Sequence, residues 1–427
     1  MDELRLFKYC LNIEREGLTM LSAYKYRLYP NEEQGVRLKR TLRSLCDLYN
    51  WLRGEKIRRY KEEGKSLTKT DLRALALQAR RGSDELQEVY SQVVQNAADR
   101  VHIAFRNFLE GRARFPRAKN YKKYRSLTYP QSGFRLQGEV TKRGKKTELR
   151  GRLFISKMGE VRIFLHRPIE GEIERLTVKY EAGEWYACLI TGQKRPEKPH
   201  IESIPKERIR GADLGLERFI TLDNSESEGY PEFLRRSEEK IRMLQRSISR
   251  KKRVSKRYNQ LAFQLAKLHL HTARQREDWQ NKIVSKIFKE ADVIVLERLS
   301  IQNILKNHNL AKSIADASFG RFAGRCIHKT DALGKHSVFV DAWGTTQFCF
   351  RCLHWVPKEL SDREHICPNC GVKLPRDLNS ARLIKRLGIL ALRRPPSDGG
   401  SSPAELRLLP SLRGMVSPSV EAGSHRF

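Results

Sequence analysis

Two cysteine pairs near the C-terminus constrain the fold more than any other feature of this sequence. Cys349 and Cys352 form one CxxC pair, and after fourteen intervening residues Cys367 and Cys370 form another. Each CxxC turn directs two sulfurs at one ion, and four thiolates complete a tetrahedral Zn²⁺ site that leaves no position for water or substrate. The spacing predicts a structural zinc ribbon, followed seven residues later by Asp377. The alternative is four unrelated thiols, free or joined as disulfides.

The charge of the chain limits its partners. Its 427 residues include 84 Lys and Arg against 50 Asp and Glu, which gives a formal net charge of +34. Such an excess disfavours the compact state unless a polyanion neutralises it, so nucleic acid is favoured over a membrane. The sequence has no apolar stretch of about eighteen residues and no signal peptide. We expect a cytoplasmic protein of two or three domains. Four isolated cysteines are expected to stay reduced: Cys10, Cys46, Cys188 and Cys326.

Hydrophobic periodicity divides the chain into two regions joined by a Lys- and Pro-bearing linker over 194–207. Ahead of the linker, alternating apolar residues predict a strand over 21–29. Apolar residues at helical spacing predict helices over 31–110. Short β patterns over 134–191 predict a small barrel or a sheet.

Beyond the linker the pattern predicts a mixed sheet with acidic residues at its strand ends. Its first two strands form a β-hairpin, with Asp213 inside the first strand and Gly215 at the turn. The elements that follow are a basic helical pair over 232–290, a strand over 291–299, a helix over 310–333, a strand over 337–341 and a last helix over 377–392. From Arg393 the sequence is too poor in periodic apolar residues to fold alone, which predicts a disordered tail.

Three acidic residues of this region form a candidate catalytic set. Asp213 lies in GADLG, Glu297 in VIVLERL and Asp377 in RDLNSA. Phosphodiester hydrolysis needs an activated water and a stabilised leaving oxygen, which two Mg²⁺ ions held by carboxylates can supply. A single acid at a strand end is ordinarily solvated or capping. A carboxylate within the apolar strand of Glu297, however, costs several kcal/mol unless a metal or a partner compensates it.

Two basic segments are candidates for nucleic-acid contact. In RFPRAKNYKKYRSLTY (114–129), aromatic rings can stack on bases while the cations neutralise phosphates, although an edge strand is the alternative. SRKKRVSKRY (249–258) is either a second contact or a solvated helix face. The candidate residues are Arg114, Arg117, Lys122, Lys123, Arg250, Lys251 and Lys252. His365, two residues before the second cysteine pair, is interpreted as a surface residue, with a place beside the zinc as the alternative.

In chain order, GADLG, VLERL, the CxxC pairs and RDLNSA resemble the motifs of the TnpB family, transposon-encoded relatives of the type V CRISPR effector nucleases. Further matches are YKYRLYPNEEQ (24–34), RFPR (114–117), KSIADASFGRF (312–322) and TTQFC (345–349). The resemblance implies an α/β plus β-barrel protein. Its implied domains are a wedge β-barrel (20–30 and 111–200), a helical recognition domain (31–110), a RuvC-like nuclease domain of RNase H fold (206–344 and 372–392) and an inserted zinc ribbon (345–371).

The same resemblance implies an activity: cleavage of double-stranded DNA that matches a guide RNA from the transposon end, next to a short adjacent motif. It makes Asp213, Glu297 and Asp377 the catalytic Mg²⁺ ligands and the four paired cysteines the Zn²⁺ ligands. It also places Gln95 and Asn96 near the adjacent motif. We expect a prokaryotic, nucleoid-associated monomer with guide RNA and target DNA as partners.

Three departures from the family pattern affect these expectations. Pro375 stands where family members usually carry another acid, which predicts a changed loop or weaker metal capture. Residues 1–19 precede the usual family start, so they are expected to be an extension and Met20 an alternative initiator. The neighbours of Gln95 and Asn96 differ, so the identity of the adjacent motif does not transfer.

Two other functions stay open at this point. One is an RNA-guided repressor that binds DNA without cutting, and such relatives typically lose one or more of the acids. The other is a transposase that transfers DNA strands. All three acids are present here, which favours the nuclease over the repressor.

Overall fold

The computed structural model describes residues 19–392, except 139–140, 144–145, 149, 254, 300–307 and 360. The predicted extension, apart from Thr19, and the predicted tail over 393–427 therefore lie outside the described residues, as does Cys10. The chain divides into two compact units, Met1–Lys194 and Arg195–Phe427. The division falls at the start of the predicted linker.

The first unit contains a seven-stranded antiparallel sheet. Its strands are β1 (Thr19–Tyr29), β2 (Ser126–Tyr129), β3 (Phe134–Gln137), β6 (Arg150–Ile155), β7 (Gly159–Phe164), β8 (Glu172–Glu181) and β9 (Glu184–Lys194), and a separate hairpin pairs β4 (Thr141–Arg143) with β5 (Lys146–Glu148). The order across the sheet is β2-β8-β9-β1-β7-β6-β3. The central strand β1 pairs with β9 from Thr19 to Leu28. The predicted strand over 21–29 is confirmed and begins two residues earlier.

The two edge strands of this sheet are consecutive in the chain, which requires strong curling. Six interstrand spacings would separate β2 from β3 by about 29 Å in a flat sheet. The connection from Tyr129 to Phe134 reaches about 18 Å at most. The rings of these two residues lie 6.5 Å apart. No hydrogen-bonded ladder joins β2 to β3 in the described residues. The structure is thus an open, curled sheet where the resemblance implied a closed barrel.

After β1 the chain is mostly helical as far as Leu109, as predicted. The helices are α1 (Glu32–Glu63), α2 (Lys69–Arg81), α3 (Asp84–Gln87) and α4 (Ser91–Leu109). Helix α1 begins at a capping box in which the side chains of Asn31 and Gln34 each accept from the other's backbone N–H. Helices and sheet share one core that includes Tyr26 of β1, Tyr49 of α1 and Val94 of α4. These helices and the sheet of the first unit are therefore packed together.

The second unit contains a five-stranded mixed sheet. Its strands are β10 (Ile209–Asp213), β11 (Arg218–Leu222), β12 (Ser227–Gly229), β13 (Val293–Arg298) and β14 (His336–Asp341), in the order β12-β11-β10-β13-β14. The first three strands pair antiparallel, whereas β13 and β14 run parallel to β10. This arrangement confirms the predicted hairpin and the predicted mixed sheet.

The described helices that connect the strands of this sheet are α5 (Phe233–Ser249), α6 (Lys256–Glu290), α7 (His308–Ala317) and α8 (Phe319–Leu333). Helices α6 and α8 pack on one of its faces. Phe219 of β11 meets Trp279 of α6 at 4.7 Å and Phe322 of α8 at 5.0 Å between ring centroids. The predicted helical pair over 232–290 is confirmed. The single helix predicted over 310–333 is wrong, because Ser318 adopts a left-handed conformation with φ of 55° and separates two helices.

The last helix, α9 (Arg376–Leu392), covers the opposite face. Two glycines allow it to lie directly on the strands. A methyl group at Gly211 of β10 would overlap the backbone of α9 at Ala381, and one at Gly388 of α9 would overlap Val295 of β13. Between β14 and α9 the cysteine segment adds a small sheet of β15 (Glu364–Ile366) and β16 (Lys373–Pro375). Among the described helices, none is both long and apolar enough to cross a bilayer.

Candidate active site

Asp213 and Glu297 lie side by side at the carboxyl ends of two parallel strands. Ala212 of β10 pairs with Leu296 of β13, and each carboxylate is the next residue along its strand. Adjacent strands are about 4.8 Å apart, so this register places the two acids at one edge of the sheet. Glu297 is buried, with 8% of its surface exposed, and Asp213 is half-buried.

Asp377 reaches the same edge from the opposite layer. It is the second residue of α9, whose close approach to β10 and β13 depends on Gly211 and Gly388. Its side chain stays 30% exposed, and the Nε atom of the neighbouring Arg376 lies 3.4 Å from its Oδ1 atom. The structure therefore brings together three acids that the sequence separates by 84 and 80 positions.

The electrostatics of the three acids reflect this gathering. Burial raises the pKa of Asp213 well above its ordinary value, and the charges of Glu297 and Asp377 raise it further. Arg376 acts in the opposite direction and lowers the pKa of Asp213. Burial also raises the pKa of Glu297 to about 7, against a hydrogen bond from Thr345 that lowers it. Ionising these acids together therefore costs free energy, and a bound cation would lower that cost.

The residues present fit a hard divalent cation. All three side chains offer carboxylate oxygens, which Mg²⁺ prefers. The Oε1 atom of Glu297 is buried without a hydrogen-bond partner among the described residues, as expected of a group that awaits a ligand. In the described part of the chain, only the four cysteines bring all their ligand atoms within 4.8 Å of one another. The three carboxylates are therefore more widely spaced than the cysteines.

A fourth acid, Asp341, was missed by the sequence analysis. It ends β14, pairs across the parallel ladder with Arg298, and raises the pKa of Glu297 through its charge. Its carboxylate accepts the backbone N–H of Trp343 at 3.0 Å, so it also shapes the turn that leaves the sheet. The sequence feature that could have identified Asp341 as part of the site is its position at the end of the predicted strand over 337–341.

The pKa of Glu297 predicts how stability depends on pH without added divalent metal. A carboxyl group whose folded pKa is raised contributes stability that is present below its unfolded pKa of about 4.3 and is lost as the pH rises through about 7. The Glu297→Gln variant removes this titration. We expect it to exceed the unfolding free energy of the wild type by about 2–3 kcal/mol at pH 8, and by much less at pH 5.

Denaturation in buffer free of added divalent ions, but without a chelator so that zinc is retained, measures this difference. Glu290→Gln is the matched control, because Glu290 is exposed at the end of α6. If wild type and Glu297→Gln lost stability equally between pH 5 and 8, the assignment of the titration to Glu297 would be wrong.

The four cysteines form one cluster, as predicted. The Sγ atoms of Cys349 and Cys370 lie 3.7 Å apart, and those of Cys352 and Cys367 lie 3.4 Å apart. Each close pair joins one CxxC turn to the other, and none of the four is in a disulfide. The cluster is consistent with a structural zinc site, because four thiolates occupy every corner of a tetrahedron.

The interpretation of His365 as a surface residue is wrong. Its side chain is fully buried in β15, opposite Leu374 of β16. Both ring nitrogens lack a hydrogen-bond partner in the described part of the chain, and burial lowers its pKa to about 4. It is absent from the ligand cluster formed by the four cysteines. Its alternation within a three-residue strand is too short a pattern to reveal this burial from sequence.

The candidate nucleic-acid residues lie on two separate units. Gln95 and Asn96 are half-buried on α4, and the Asn96 side chain accepts from Arg100 at 3.1 Å. Arg250, Lys251 and Lys252 are exposed at the turn between α5 and α6. Exposed cations of the segment that leads into β2 are Arg114, Arg117, Lys122 and Lys123. Most of that segment lacks regular structure, so the alternative of an edge strand holds only for its last residues.

Exposed aromatic rings accompany the cations of this segment. Phe115 is 46% exposed and Tyr121 is 54% exposed. The guanidinium of Arg53 lies 5.9 Å from the Phe115 ring centroid, and that of Arg43 lies 5.7 Å from the Tyr121 ring centroid. Rings and cations of this kind can bind the bases and phosphates of single strands.

Three protein families match separate parts of the chain. Residues 196–308 match the OrfB_IS605 family, described as "Probable transposase". Residues 319–384 match "Cas12f1-like, TNB domain", and residues 20–65 match a "Helix-turn-helix domain" of OrfB_IS605. In the structure, residues 20–65 form β1 and the single continuous helix α1, so that last description does not apply to the local fold.

Two similar proteins span most of the chain. One from Streptomyces pristinaespiralis, named "Putative RNA-guided DNA endonuclease", is 29% identical over 379 residues, which is 86% of this chain and 90% of the relative. Another from Escherichia coli (strain K12), named "Putative RNA-guided DNA endonuclease InsQ", is 24% identical over 386 residues, which is 86% of this chain and 92% of the relative.

Solved structures share the fold at low sequence identity. A Cas12f1–sgRNA–target DNA complex matches with a TM-score of 0.57 and 11% identity, over 86% of this chain and 99% of that one. The mini-RNA-guided endonuclease CRISPR-Cas_phi3 matches with a TM-score of 0.50 and 9% identity, over 92% and 97%. Together with the matching families, these similarities confirm the resemblance drawn from the sequence motifs. The chain belongs to the TnpB (OrfB_IS605) family.

Proposed function

We propose that this protein is the RNA-guided DNA endonuclease of an IS605-type transposable element, and that it cuts guide-matched DNA beside a short adjacent motif. The observation that carries the proposal is the convergence of Asp213, Glu297 and Asp377 at one sheet edge, where their charges raise the pKa of Asp213. The names of its full-length relatives support the same activity. An RNA-guided repressor would not need to retain all three acids.

In this proposal Asp213, Glu297 and Asp377 hold Mg²⁺. When bound, the ions would activate the attacking water and stabilise the leaving 3′ oxygen. The chain's own contribution is to fix two ligands on parallel strands and the third on the first turn of α9. Arg376 offsets part of the negative charge when the site is empty, because it lowers the pKa of Asp213. Pro375, which ends β16, fixes the backbone two residues before Asp377.

The domain organisation proposed with this function follows the family. A RuvC-like nuclease domain of RNase H type would comprise 206–344 and 372–392, with the zinc ribbon over 345–371. The strand order β12-β11-β10-β13-β14, with three antiparallel strands followed by two parallel ones, supports it. A wedge domain over 20–30 and 111–200 and a recognition domain over 31–110 would bind nucleic acid.

Guide-RNA binding is expected to depend steeply on salt, because phosphate contacts by exposed cations dominate it. Among the described residues, Arg114 and Arg117 have no ion-pair partner and are free to contact phosphates. Each neutralised phosphate of a single strand adds about 0.7 to the slope of log affinity against log salt. Replacing both arginines by alanine is therefore expected to reduce that slope by about 1.4.

Filter binding of guide RNA at several salt concentrations measures the slope. Arg58→Ala is the matched control, because Arg58 is exposed on α1 but its guanidinium is already paired with Glu55 and Glu62. A slope that the double variant leaves unchanged would remove Arg114 and Arg117 from the RNA-binding surface.

A guide swap tests the proposed function. The protein is purified with either of two guide RNAs that differ only in the guide segment, and each complex is given both matching plasmids with Mg²⁺. We expect each guide to direct linearisation of its own plasmid alone, with free product ends. Cutting that ignores the guide would contradict RNA guidance, binding without cutting would indicate the repressor, and joined ends would indicate the transposase.

A further inference from the structure

The cysteine cluster and the carboxylate site share one structural element, helix α9. We propose that Asn379 is a positioning residue that links the two sites, so that zinc binding by the cysteines determines the position of Asp377. The proposal rests on the metal-binding role proposed above for the carboxylates, and it adds a dependence of that role on the ribbon. Asn379 is not a catalytic residue, since it lies within the protein and faces the ribbon backbone.

The contacts of Asn379 are specific to the first cysteine. Its side chain is fully buried. Its Nδ2 atom donates to the carbonyl oxygen of Phe348 at 2.8 Å, and its Oδ1 atom accepts the backbone N–H of Phe350 at 3.0 Å. These two backbone groups belong to the residues before and after Cys349, so the Asn379 amide forms hydrogen bonds on both sides of this cysteine. Asn and Gln are the side chains that carry a donor nitrogen and an acceptor oxygen on the same carbon, which this pair of contacts uses.

Asn379 is also close to the carboxylate site along the helix. It follows Asp377 by two residues in the first turn of α9. Two turns further on, Arg386 donates to the carbonyl oxygens of Phe350 and Arg351, both at 2.8 Å. The helix therefore holds the cysteine turn at two points, and the point nearer the carboxylate is Asn379.

A second connection reaches the carboxylate site from the sheet side. Thr345 lies four residues before Cys349 and is almost fully buried; its hydroxyl donates to the carbonyl oxygen of Ala342 at 3.0 Å, and it lies close enough to Glu297 to lower the pKa of that carboxyl. The cysteine segment thus touches the site through Glu297 and through the helix of Asp377. A change in the cysteine turn is expected to move both ligands relative to Asp213.

The test measures metal binding directly. Mn²⁺ serves as the probe, because it takes the oxygen ligands that Mg²⁺ takes and its free concentration is read by electron paramagnetic resonance. In zinc-loaded full-length protein, we expect Asn379→Ala to weaken Mn²⁺ binding about tenfold, at the low end of effects from outer-shell partners, while zinc content stays near one per chain. Ser380→Ala is the matched control, because Ser380 is equally buried and, among the described residues, its hydroxyl donates within α9 to the carbonyl oxygen of Arg376.

An unchanged Mn²⁺ affinity in Asn379→Ala would overturn the proposal. If that variant does not fold, removal of zinc from the wild type decides, because the proposal predicts a similar loss of Mn²⁺ affinity and an independent ribbon predicts none. The readout is separate from cleavage. Zinc-dependent Mn²⁺ binding in a protein that cuts no DNA would leave this inference standing and refute the proposed function.

Discussion

Replacing Asp213 by alanine is expected to reduce DNA cleavage by about a thousandfold or more, with guide-RNA and target-DNA binding unchanged. The charges of both Glu297 and Asp377 raise the pKa of Asp213, so Asp213 is close to both of the other acids. Its loss would remove the ligand common to the site but little of the chain's positive charge. The fold should tolerate the change, because it relieves repulsion among neighbouring carboxylates.

Single-turnover cleavage and equilibrium binding, measured on the same guide-loaded preparation, separate these effects. Asp278→Ala is the matched control, since it makes the same charge change at an exposed position of α6 in the same unit. We expect the control to cut at the wild-type rate. Full cutting by Asp213→Ala would refute the assignment of the active site.

Replacing Cys352 by serine is expected to reduce zinc content from about one ion per chain to nearly none. Zinc binding supplies about 10–16 kcal/mol in small zinc-finger peptides, and within the described residues of 345–371 the regular structure is limited to the three-residue strand β15. We therefore expect the segment to become sensitive to proteases. Cleavage should fall as well, because Asn379 and Thr345 connect the segment to the carboxylates.

Metal analysis and limited proteolysis with mass spectrometry measure both results. Cys188→Ser is the matched control, because Cys188 is a half-buried cysteine on β9, outside the cluster and in the first unit. Zinc retained at about one ion per chain in Cys352→Ser would show that the four thiolates are not the zinc ligands.

Much of the candidate site could be predicted because its signals are local. The CxxC spacing, the apolar strand that carries Glu297 and the hairpin that carries Asp213 each lie within one short stretch of sequence, the longest being the 22 residues from Cys349 to Cys370. Local signals also predicted the helices over 31–110 and the last helix. The order of the motifs then indicated the family, which hydrophobic periodicity alone could not indicate.

What could not be predicted depends on close approach between distant segments. Gly211 and Gly388 are ordinary in the sequence, and only the packing of α9 on β10 and β13 shows why a side chain would not fit at either. The burial of Asn379 and its grip on the cysteine turn arise from the same packing. Ser318 carries no glycine or proline signal, yet its left-handed conformation divides the predicted helix.

The curling of the first sheet is a further example of a tertiary property. Strands such as β7 show the expected alternation of buried and exposed residues. The short connection between β2 and β3, however, implies curling only when the strand order is known. Periodicity left a barrel and a sheet as alternatives, and the resemblance favoured the barrel. In the described residues the edges come near each other without forming a ladder.

The claim that three distant segments form one metal site can be tested by mapping the metal itself. Fe²⁺ replaces Mg²⁺ in the zinc-loaded, guide-bound protein, and peroxide with ascorbate then generates hydroxyl radicals that cut the backbone near the bound ion. Mass spectrometry locates the cuts. We predict cuts near Asp213, Glu297 and Asp377 together, all of them lost in Asp213→Ala. Cuts confined to one of these segments, or cuts that persist in the variant, would contradict a shared site.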